Sequence, residues 1–438
     1  MSCAFQMPIY VGSACRRFFY YFSGLSMEKV EKMIIFLPCY LSPFFFCLLC
    51  MMETLYTKTQ KQFFEGDRTI WAIVILLSIF SVLAVYSATG TLAFKRLDGD
   101  TEYYLLKHAI LLALSLVAMW VCHRIDYKYY SRLSRFALLI SAPLLLLTWL
   151  FGSTVNEATR WLMIPFINQS FQVSDLAKLA LIANTASMLS KRQQSIRELQ
   201  RAILPIIFWC GLICGLIALS NFSSAVLLFV TCLLLMFIGR VPLRYLATMV
   251  VIGGLACGIA LALGQRLGTA IERVSTFVRA NNKVSFQEEQ SYIAVATGGI
   301  VGKGIGNSHQ RNLLPHPYSD FIYAIIVEEY GLFGGIIVLI LFLTLLYRGM
   351  VTMAKSERAF GGLLSAGLSF SLVLQALTHM AVVVGLAPVT GLPLPLISMG
   401  GTSLLFTGIS LGIVLSVSRG EREILDHEKP VETGFQRV

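Results

Sequence analysis

From Ile70 to Ser418, apolar stretches of membrane-spanning length alternate with short polar connections. Runs this long with so few charges exceed what a buried core helix needs. They predict an all-α polytopic membrane protein with about ten transmembrane helices. The expected spans are 69–87, 104–122, 134–151, 174–190, 202–219, 223–239, 245–263, 321–347, 360–384 and 402–418. Basic residues fall in alternate connections. His123, Arg124, Lys128, Arg132 and Arg135 follow the second span, and Lys191, Arg192, Arg197 and Arg201 the fourth. Arg240 and Arg244 follow the sixth, Arg348, Lys355 and Arg358 the eighth, and Arg419 the last. Because Lys and Arg concentrate in cytoplasmic loops, both termini are expected inside. The connections around 88–103, 152–173, 220–222, 264–320 and 385–401 then face outward, with a long outer loop between helices 7 and 8.

Composition agrees with a lipid solvent: 56% of the 438 residues are hydrophobic and only 13% charged. The net charge of +11 would suit a nucleic acid, but the loop distribution of Lys and Arg accounts for it, and no nucleic-acid partner is expected. The ten cysteines lack metal-ligand spacing, and several sit inside apolar runs as small hydrophobes. Residues 1–68 read as a leader unlike the rest, 69–418 as the transmembrane domain and 419–438 as a cytoplasmic tail. The stretch Ile34 to Met52 is broken by Pro38 and Pro43 and lacks a small-residue cleavage site, so translation is expected to start at Met51 or Met52. The pairs Gly211/Gly215, Gly254/Gly258 and Gly408/Gly412 have the spacing of close helix packing.

Ionisable groups inside spans need a reason. Asp175 and Lys178 are three apart on one helix face, which fits a self-neutralising pair or one wall of a wet cavity equally well. Upstream, Arg160, Trp161 and Gln172 lie in an outer loop; an Arg fork suits a pyrophosphate, and an Arg-Trp interfacial anchor is the simpler reading. In the long outer loop, the glycines of GGIVGKGIG follow no strand and lie in no βαβ unit. They are therefore expected to let backbone fold closely over a ligand or other helices, not to bind a nucleotide. Asp320 opens the next helix, either as a plain cap or as a carboxylate at a cavity mouth. Glu328 and Glu329 follow within the span, with Lys178 or Arg160 as expected partners. The apolar segment LAPVTGLPLPLISMGGTSLL (386–405) holds too many prolines and glycines for a regular helix. Irregular backbone at that depth survives only where protein or a wet cavity satisfies it.

These blocks resemble the SEDS (shape, elongation, division, sporulation) family from about Asp67 to Arg419. The resemblance rests on VYSATG (85–90), VNEATRWL (155–162), FQVSDLAKLAL (171–181), QSYIAVATGGIVGKGIGNS (290–308), LPHPYSDFIYAIIVEEYG (314–331) and GLPLPLISMGGTSLL (391–405). The LPHPYSDFIYAIIVEEYG block is closer to the division branch than to the elongation branch. The resemblance implies an inverting glycosyltransferase of the cytoplasmic (inner) membrane that polymerises lipid II, a disaccharide-peptide on undecaprenyl pyrophosphate, at the outer face. It places the essential aspartate on Asp320 as general base. It puts Arg160, Trp161, Asp175 and Lys178 along the cavity and Gln290, Ser291, Asn307 and Ser308 in the outer loop. Gln172, Glu328 and Ser398 complete the candidate substrate-binding set. Implied partners are a class B penicillin-binding protein transpeptidase and other division proteins. No cofactor is assigned, and a divalent cation is left open. The sequence departs from the family at Asp175 (Glu is usual), at LSNFSS (219–224, in place of an acidic Pro-Asp-Leu-Gly pattern) and at His379 (Asn is usual). At His379 a satisfied polar helix contact is favoured over a pH-sensitive group. The rival functions are a lipid II flippase, which would lean on Asp175, Lys178 and Glu328, and a scaffold that only recruits the transpeptidase.

Overall fold

The computed structural model describes residues 65–96, 101–151, 153–155, 158–164, 169–195, 198, 200, 203–263, 285–314 and 317–428. The expected start at Met51 or Met52 and the last residues of the tail lie outside them. The described helices are α1 (Arg68–Arg96), α2 (Thr101–Arg124), α3 (Tyr127–Phe151), α4 (Val173–Lys191), α5 (Leu204–Ser220), α6 (Phe222–Ile238), α7 (Leu243–Leu263), α8 (Phe286–Gly298), α9 (Ile322–Lys355), α10 (Ala359–Val383) and α11 (Thr402–Glu428). Every expected span coincides with one of these helices, and α8 is the addition, lying within the long outer loop.

The outer connection after α3 is not plain loop. It holds short antiparallel strands β1 (Ser153–Val155), β2 (Ala158–Ile164) and β3 (Gln169–Phe171), in the order β1-β2-β3. The helical architecture expected of the chain stands, and these three short strands are a local addition to it. Strands of three residues, such as β1 and β3, are too short for alternation to show in the sequence.

Among the described residues, six helices can cross a membrane by length and composition, and three shorter apolar helices accompany them. The large side chains left open are apolar: Ile75 and Ile79 on α1, Ile110, Leu114 and Val117 on α2, Phe136, Leu139 and Ile140 on α3, Val250 and Val251 on α7. A belt of that kind is covered by lipid. The chain is a multi-pass membrane protein. Helix α4 is the exception that explains itself. It carries Asp175, Lys178, Asn184, Thr185 and Ser187 and is buried along most of its length, packed by α3, α5, α6, α10 and α11. Protein surrounds it in place of lipid, so its hydropathy need not be high.

Of the glycine pairs, Gly408 and Gly412 do pack closely: a Cβ on either would stand 2.3 Å from the Ser115 or Met119 carbonyl oxygen of α2. Among the described residues, Gly211, Gly215, Gly254 and Gly258 meet nothing within 4 Å, so the spacing finds no close neighbour there.

Each end of the bundle is tied by its own set of hydrogen bonds. At one end Asp67, at the start of α1, pairs with Arg348 of α9 (Nε–Oδ2 2.6 Å) and donates its backbone N–H to Ser418 of α11 (2.9 Å). Ser416 donates to the carbonyl of Ile125 beside α2, and His123 meets the Glu65 carbonyl at 2.9 Å. At the other end Arg311 reaches Ser87 of α1, Gln172 reaches Thr402 of α11, and Ser291 of α8 donates to Val383 of α10. Asp67 is 5% exposed, so Asp67→Ala should remove about 1.5–3 kcal/mol, a charged hydrogen bond's worth, read as a lower Tm in detergent.

Candidate functional site

Asp320 sits at the junction of the outer loop and α9. The helix begins at Ile322, its N-cap is Phe321, and no side chain caps it. The capping role is therefore not what Asp320 performs here. Its half-exposed carboxylate accepts a hydrogen bond from the Ser319 hydroxyl (3.0 Å).

The backbone that carries Asp320 is strapped to the irregular segment 386–405. Ser398 is 2% exposed; its hydroxyl donates to the Ser319 carbonyl (2.7 Å) and accepts from the Leu394 N–H (2.8 Å). The Met399 N–H donates to the Tyr318 carbonyl (3.0 Å). From α10, Gln375 donates to the Pro393 carbonyl (2.8 Å) and His379 meets the Leu392 carbonyl through Nδ1 (2.8 Å). A Cβ built on Gly391 would lie 3.8 Å from Asp320 Oδ2. Protein groups thus satisfy the broken backbone, as apolar depth demands, and its turn runs beside the carboxylate. His379 makes a polar contact of the kind expected, to backbone. Only one ring nitrogen is paired, and Nε2 is buried without a partner among the described residues.

A second element stiffens the same junction. Helix α9 breaks at Gly331 (φ 69°, ψ −169°), a conformation that only glycine adopts at little cost. The break leaves backbone groups that the loop 298–304 takes up. Lys303 and Gly304 N–H groups donate to the Glu328 and Glu329 carbonyls (both 3.0 Å), and Leu332 N–H donates to the Gly299 carbonyl (2.9 Å). A Cβ on Gly302 (φ +90°) would stand 2.2 Å from the Glu329 carbonyl oxygen. The glycines therefore serve close packing on another helix, one of the two uses expected of them. Gly302→Ala should cost about 1–3 kcal/mol of backbone strain and unlatch the loop, seen as protease cleavage within 299–314 that the parent chain resists.

Glu328 is fully buried and pairs with Lys303, while Lys178, one of its expected partners, pairs with Asp175; the side chain of Arg160, the other, lies outside the described residues. The Glu328 carboxylate takes Lys303 Nζ (2.6 Å), the Ser308 hydroxyl, and the N–H groups of His309 (3.1 Å) and Gln310 (3.3 Å). It fastens the glycine loop to α9. Beside it Glu329 accepts from Ser87 and from the Ser308 N–H (3.4 Å). Arg311 donates to the Ser87 carbonyl at 3.1 Å. Arg311 and Ser87 escaped the sequence reading, although Ser87 lies in the quoted VYSATG block; nothing in spacing alone joins residues 224 apart.

At the outer end of α4, Lys178 pairs with Asp175 (2.9 Å) while Asp175 Oδ2 stays buried and unpaired among the described residues. Gln172 binds Ser174 (3.0 Å) and, through its N–H, Thr402 (3.2 Å), so this end adjoins the exit of segment 386–405. Gln290 and Ser291 are buried on α8, and Asn307 is exposed on the loop, donating to the Lys303 carbonyl (3.1 Å). The backbone of Arg160 and Trp161 lies in β2; their side chains fall outside the described residues. Burial, with the Glu288 carboxylate nearby, pushes the Tyr292 phenol above its usual range, and its ring lies 3.2 Å from a Cβ built on Gly385. Among the described residues no three His, Cys, Asp or Glu side chains gather as a metal group.

Residues 67–423 match the family of FtsW, RodA and SpoVE, described as "Cell cycle protein". A probable peptidoglycan glycosyltransferase FtsW of Geobacter sp. (strain M18) is 31% identical over 364 residues, covering 81% of this chain and 97% of that one. The protein of the same name from Coxiella burnetii is 32% identical over 371 residues, 82% of this chain and 98% of that one. Among solved structures, one described as "Structural coordination of polymerization and crosslinking by a peptidoglycan synthase complex" aligns with a TM-score of 0.60 at 25% identity, over 81% of this chain and 98% of that one. The rod shape determining protein RodA of Thermus thermophilus shares the fold, with a TM-score of 0.60 at 22% identity over 81% of this chain and 97% of that one. With the family matched over most of its length and the fold in agreement, this chain belongs to the cell cycle proteins of the FtsW, RodA and SpoVE family, the SEDS family.

Proposed function

We propose that this chain is a peptidoglycan glycosyltransferase that polymerises lipid II into glycan strands at the outer face of the cytoplasmic membrane during division, with Asp320 as the general base. The observation that carries the reading is the placement of Asp320. It is a half-exposed carboxylate relieved of helix capping and held by Ser319, Ser398 and Met399 beside irregular backbone. Relatives that bear the name of a peptidoglycan glycosyltransferase extend over most of the chain and support the reaction class. The basic residues that cluster at the Asp67 end support an outward-facing Asp320.

In this reaction Asp320 takes the proton from the acceptor sugar hydroxyl as its oxygen attacks the anomeric carbon of the donor strand. The bond to undecaprenyl pyrophosphate breaks with inversion, and the leaving group keeps the electron pair. One carboxyl suffices because the leaving group is already an anion of low basicity, unlike the alkoxide that a hydrolytic glycosidase must protonate. Arg160 and Lys178 supply positive charge for the pyrophosphate, and Arg160's fork suits its oxygens. Gln172, Asp175, Gln290, Ser291, Asn307, Ser308 and Ser398 set the walls and the loop, and Glu328 fixes that loop on α9. The partner is a class B penicillin-binding protein transpeptidase that crosslinks the strands as they emerge. The complex described with polymerisation and crosslinking together supports that pairing.

The test is polymerisation itself. Purified full chain with its class B partner, given lipid II, should yield a ladder of glycan strands that a muramidase degrades. Lipid II left unchanged by an intact complex would refute the assignment.

A further inference from the structure

Leu396, in the irregular segment beside Asp320, has φ 61°, the left-handed region that a residue with a Cβ enters only against steric resistance. It is 2% exposed, so this is not a surface turn. Backbone of that kind persists where its surroundings over-determine it, and it collects at functional sites.

The bonds that hold the turn run in two directions. Around Leu396 itself, the Ser398 N–H donates to the Leu394 carbonyl (2.9 Å), and the Ser398 hydroxyl accepts from the Leu394 N–H (2.8 Å). The carbonyl of the next residue, Ile397, accepts from the Ser81 hydroxyl of α1 (3.0 Å). Ser81 Oγ in turn lies 2.8 Å from Nε2 of His108 on α2. A carbonyl only accepts, so the one hydroxyl proton of Ser81 goes to Ile397, and His108 Nε2 carries the hydrogen that Ser81 accepts. Ser81, His108 and Ile397 are all fully buried. The same turn also holds the candidate base. Ser398 donates to the Ser319 carbonyl (2.7 Å), Met399 N–H to the Tyr318 carbonyl (3.0 Å), and the Ser319 hydroxyl to Asp320 (3.0 Å).

Resting on the function proposed above, we propose that Ser81 and His108 are positioning residues: their hydrogen-bonded pair clamps the left-handed turn at Leu396, and the turn, through Ser398 and Met399, sets where the Asp320 carboxylate meets the acceptor sugar.

The plainer role for such a pair is to satisfy two buried polar side chains. That role is poorly served here, because His108 Nδ1 stays buried without a partner among the described residues. What the pair does secure is the Ile397 carbonyl. Without that bond the peptide units flanking Leu396 are free to rotate out of the left-handed region. The Ile397 carbonyl and the Ser398 N–H belong to one peptide unit, so Ser398 moves with it, and its bond to Ser319 follows. Proton transfer needs the carboxylate within about 2.6–3.2 Å of the sugar hydroxyl, so a small displacement falls on the chemical step. The groups assigned to the pyrophosphate, Arg160 and Lys178, stand on β2 and α4 and not on this turn, so substrate affinity is left alone.

Two measurements test it. In the polymerisation assay with the full complex, Ser81→Ala removes only the hydroxyl, and His108→Phe keeps a ring but loses the donor. Each should lower kcat about 10- to 100-fold with KM for lipid II unchanged, the cost of a misplaced reacting group. His108→Gln, whose amide still donates to Ser81, should recover most of that loss. A parent-like kcat in Ser81→Ala, or a His108→Gln as slow as His108→Phe, overturns the clamp while leaving the glycosyltransferase assignment standing. Should His108→Phe fail to fold, Ser81→Ala decides alone. Independently of activity, hydrogen exchange of the full chain in nanodiscs, read by mass spectrometry over residues 390–402, should be faster in Ser81→Ala than in the parent and parent-like in His108→Gln. Exchange unchanged by Ser81→Ala sinks the proposal, whatever happens to kcat. Should the parent complex leave lipid II unpolymerised, the assignment of function falls and takes the positioning role with it, and exchange then reports on the turn alone.

Discussion

Asp320→Asn should lower lipid II polymerisation by about 10²–10⁴-fold, the usual worth of a positioned general base, while KM for lipid II and the Tm stay near the parent values. The amide has the size of the carboxylate, and its oxygen can still accept from the Ser319 hydroxyl, which now stands 3.0 Å from Oδ1. What it loses is the capacity to take a proton. The pairing of readouts separates this role from the helix-cap alternative. A cap lost from α9 would cost stability of about 1 kcal/mol and spare the chemistry. Since Phe321 is the N-cap and no side chain caps the helix, the opposite pattern is expected. Full activity in Asp320→Asn would remove the base role.

The largest loss of stability is expected from Glu328→Ala, about 3–5 kcal/mol, because it strands one member of a buried ion pair. Lys303 loses its 2.6 Å partner, and the Ser308 hydroxyl and two backbone N–H groups lose their acceptor. Lys303 keeps about a quarter of its side chain in contact with solvent, which puts the effect toward the lower end of that range. The readout is thermal unfolding in detergent, with activity falling in step as the glycine loop leaves α9. A Glu328→Leu, Lys303→Leu double variant should recover part of the loss, since no charge is then left unpaired. A Tm for Glu328→Ala equal to the parent's would show that the loop holds without its clasp. Of the intramembrane acids that a lipid carrier would lean on, Glu328 is taken up by the loop, and Asp175 gives one oxygen to Lys178 while its Oδ2 is unpaired among the described residues.

The bundle was legible in the sequence because lipid imposes a one-dimensional rule: long apolar runs, with Lys and Arg at alternate ends. Even α4, with its buried Asp175, Lys178 and Asn184, coincides with the expected span 174–190. The irregular segment 386–405 was equally plain from its prolines. What escaped notice depends on contacts between distant residues. The break of α9 at Gly331 has no proline to announce it, and the loop 298–304 that repairs it lies about thirty residues upstream. The same crossing gave Glu328 a partner in Lys303, which no helical spacing rule would have chosen. The strands after α3 pair over runs too short for alternation to show. Small-residue spacing succeeded at Gly408 and Gly412, where α2 lies against them, and failed at Gly211 and Gly254, where no neighbour approaches. The sequence marks where a helix can come close, not whether one does.

Whether the chain builds glycan or only moves its precursor is decided most directly in detergent, where there is no bilayer to cross. Purified parent complex supplied with lipid II should form muramidase-sensitive glycan strands there, and the Asp320→Asn complex should form none. Translocation of lipid II in sealed vesicles by a parent complex that yields no glycan strands under either condition would contradict the account.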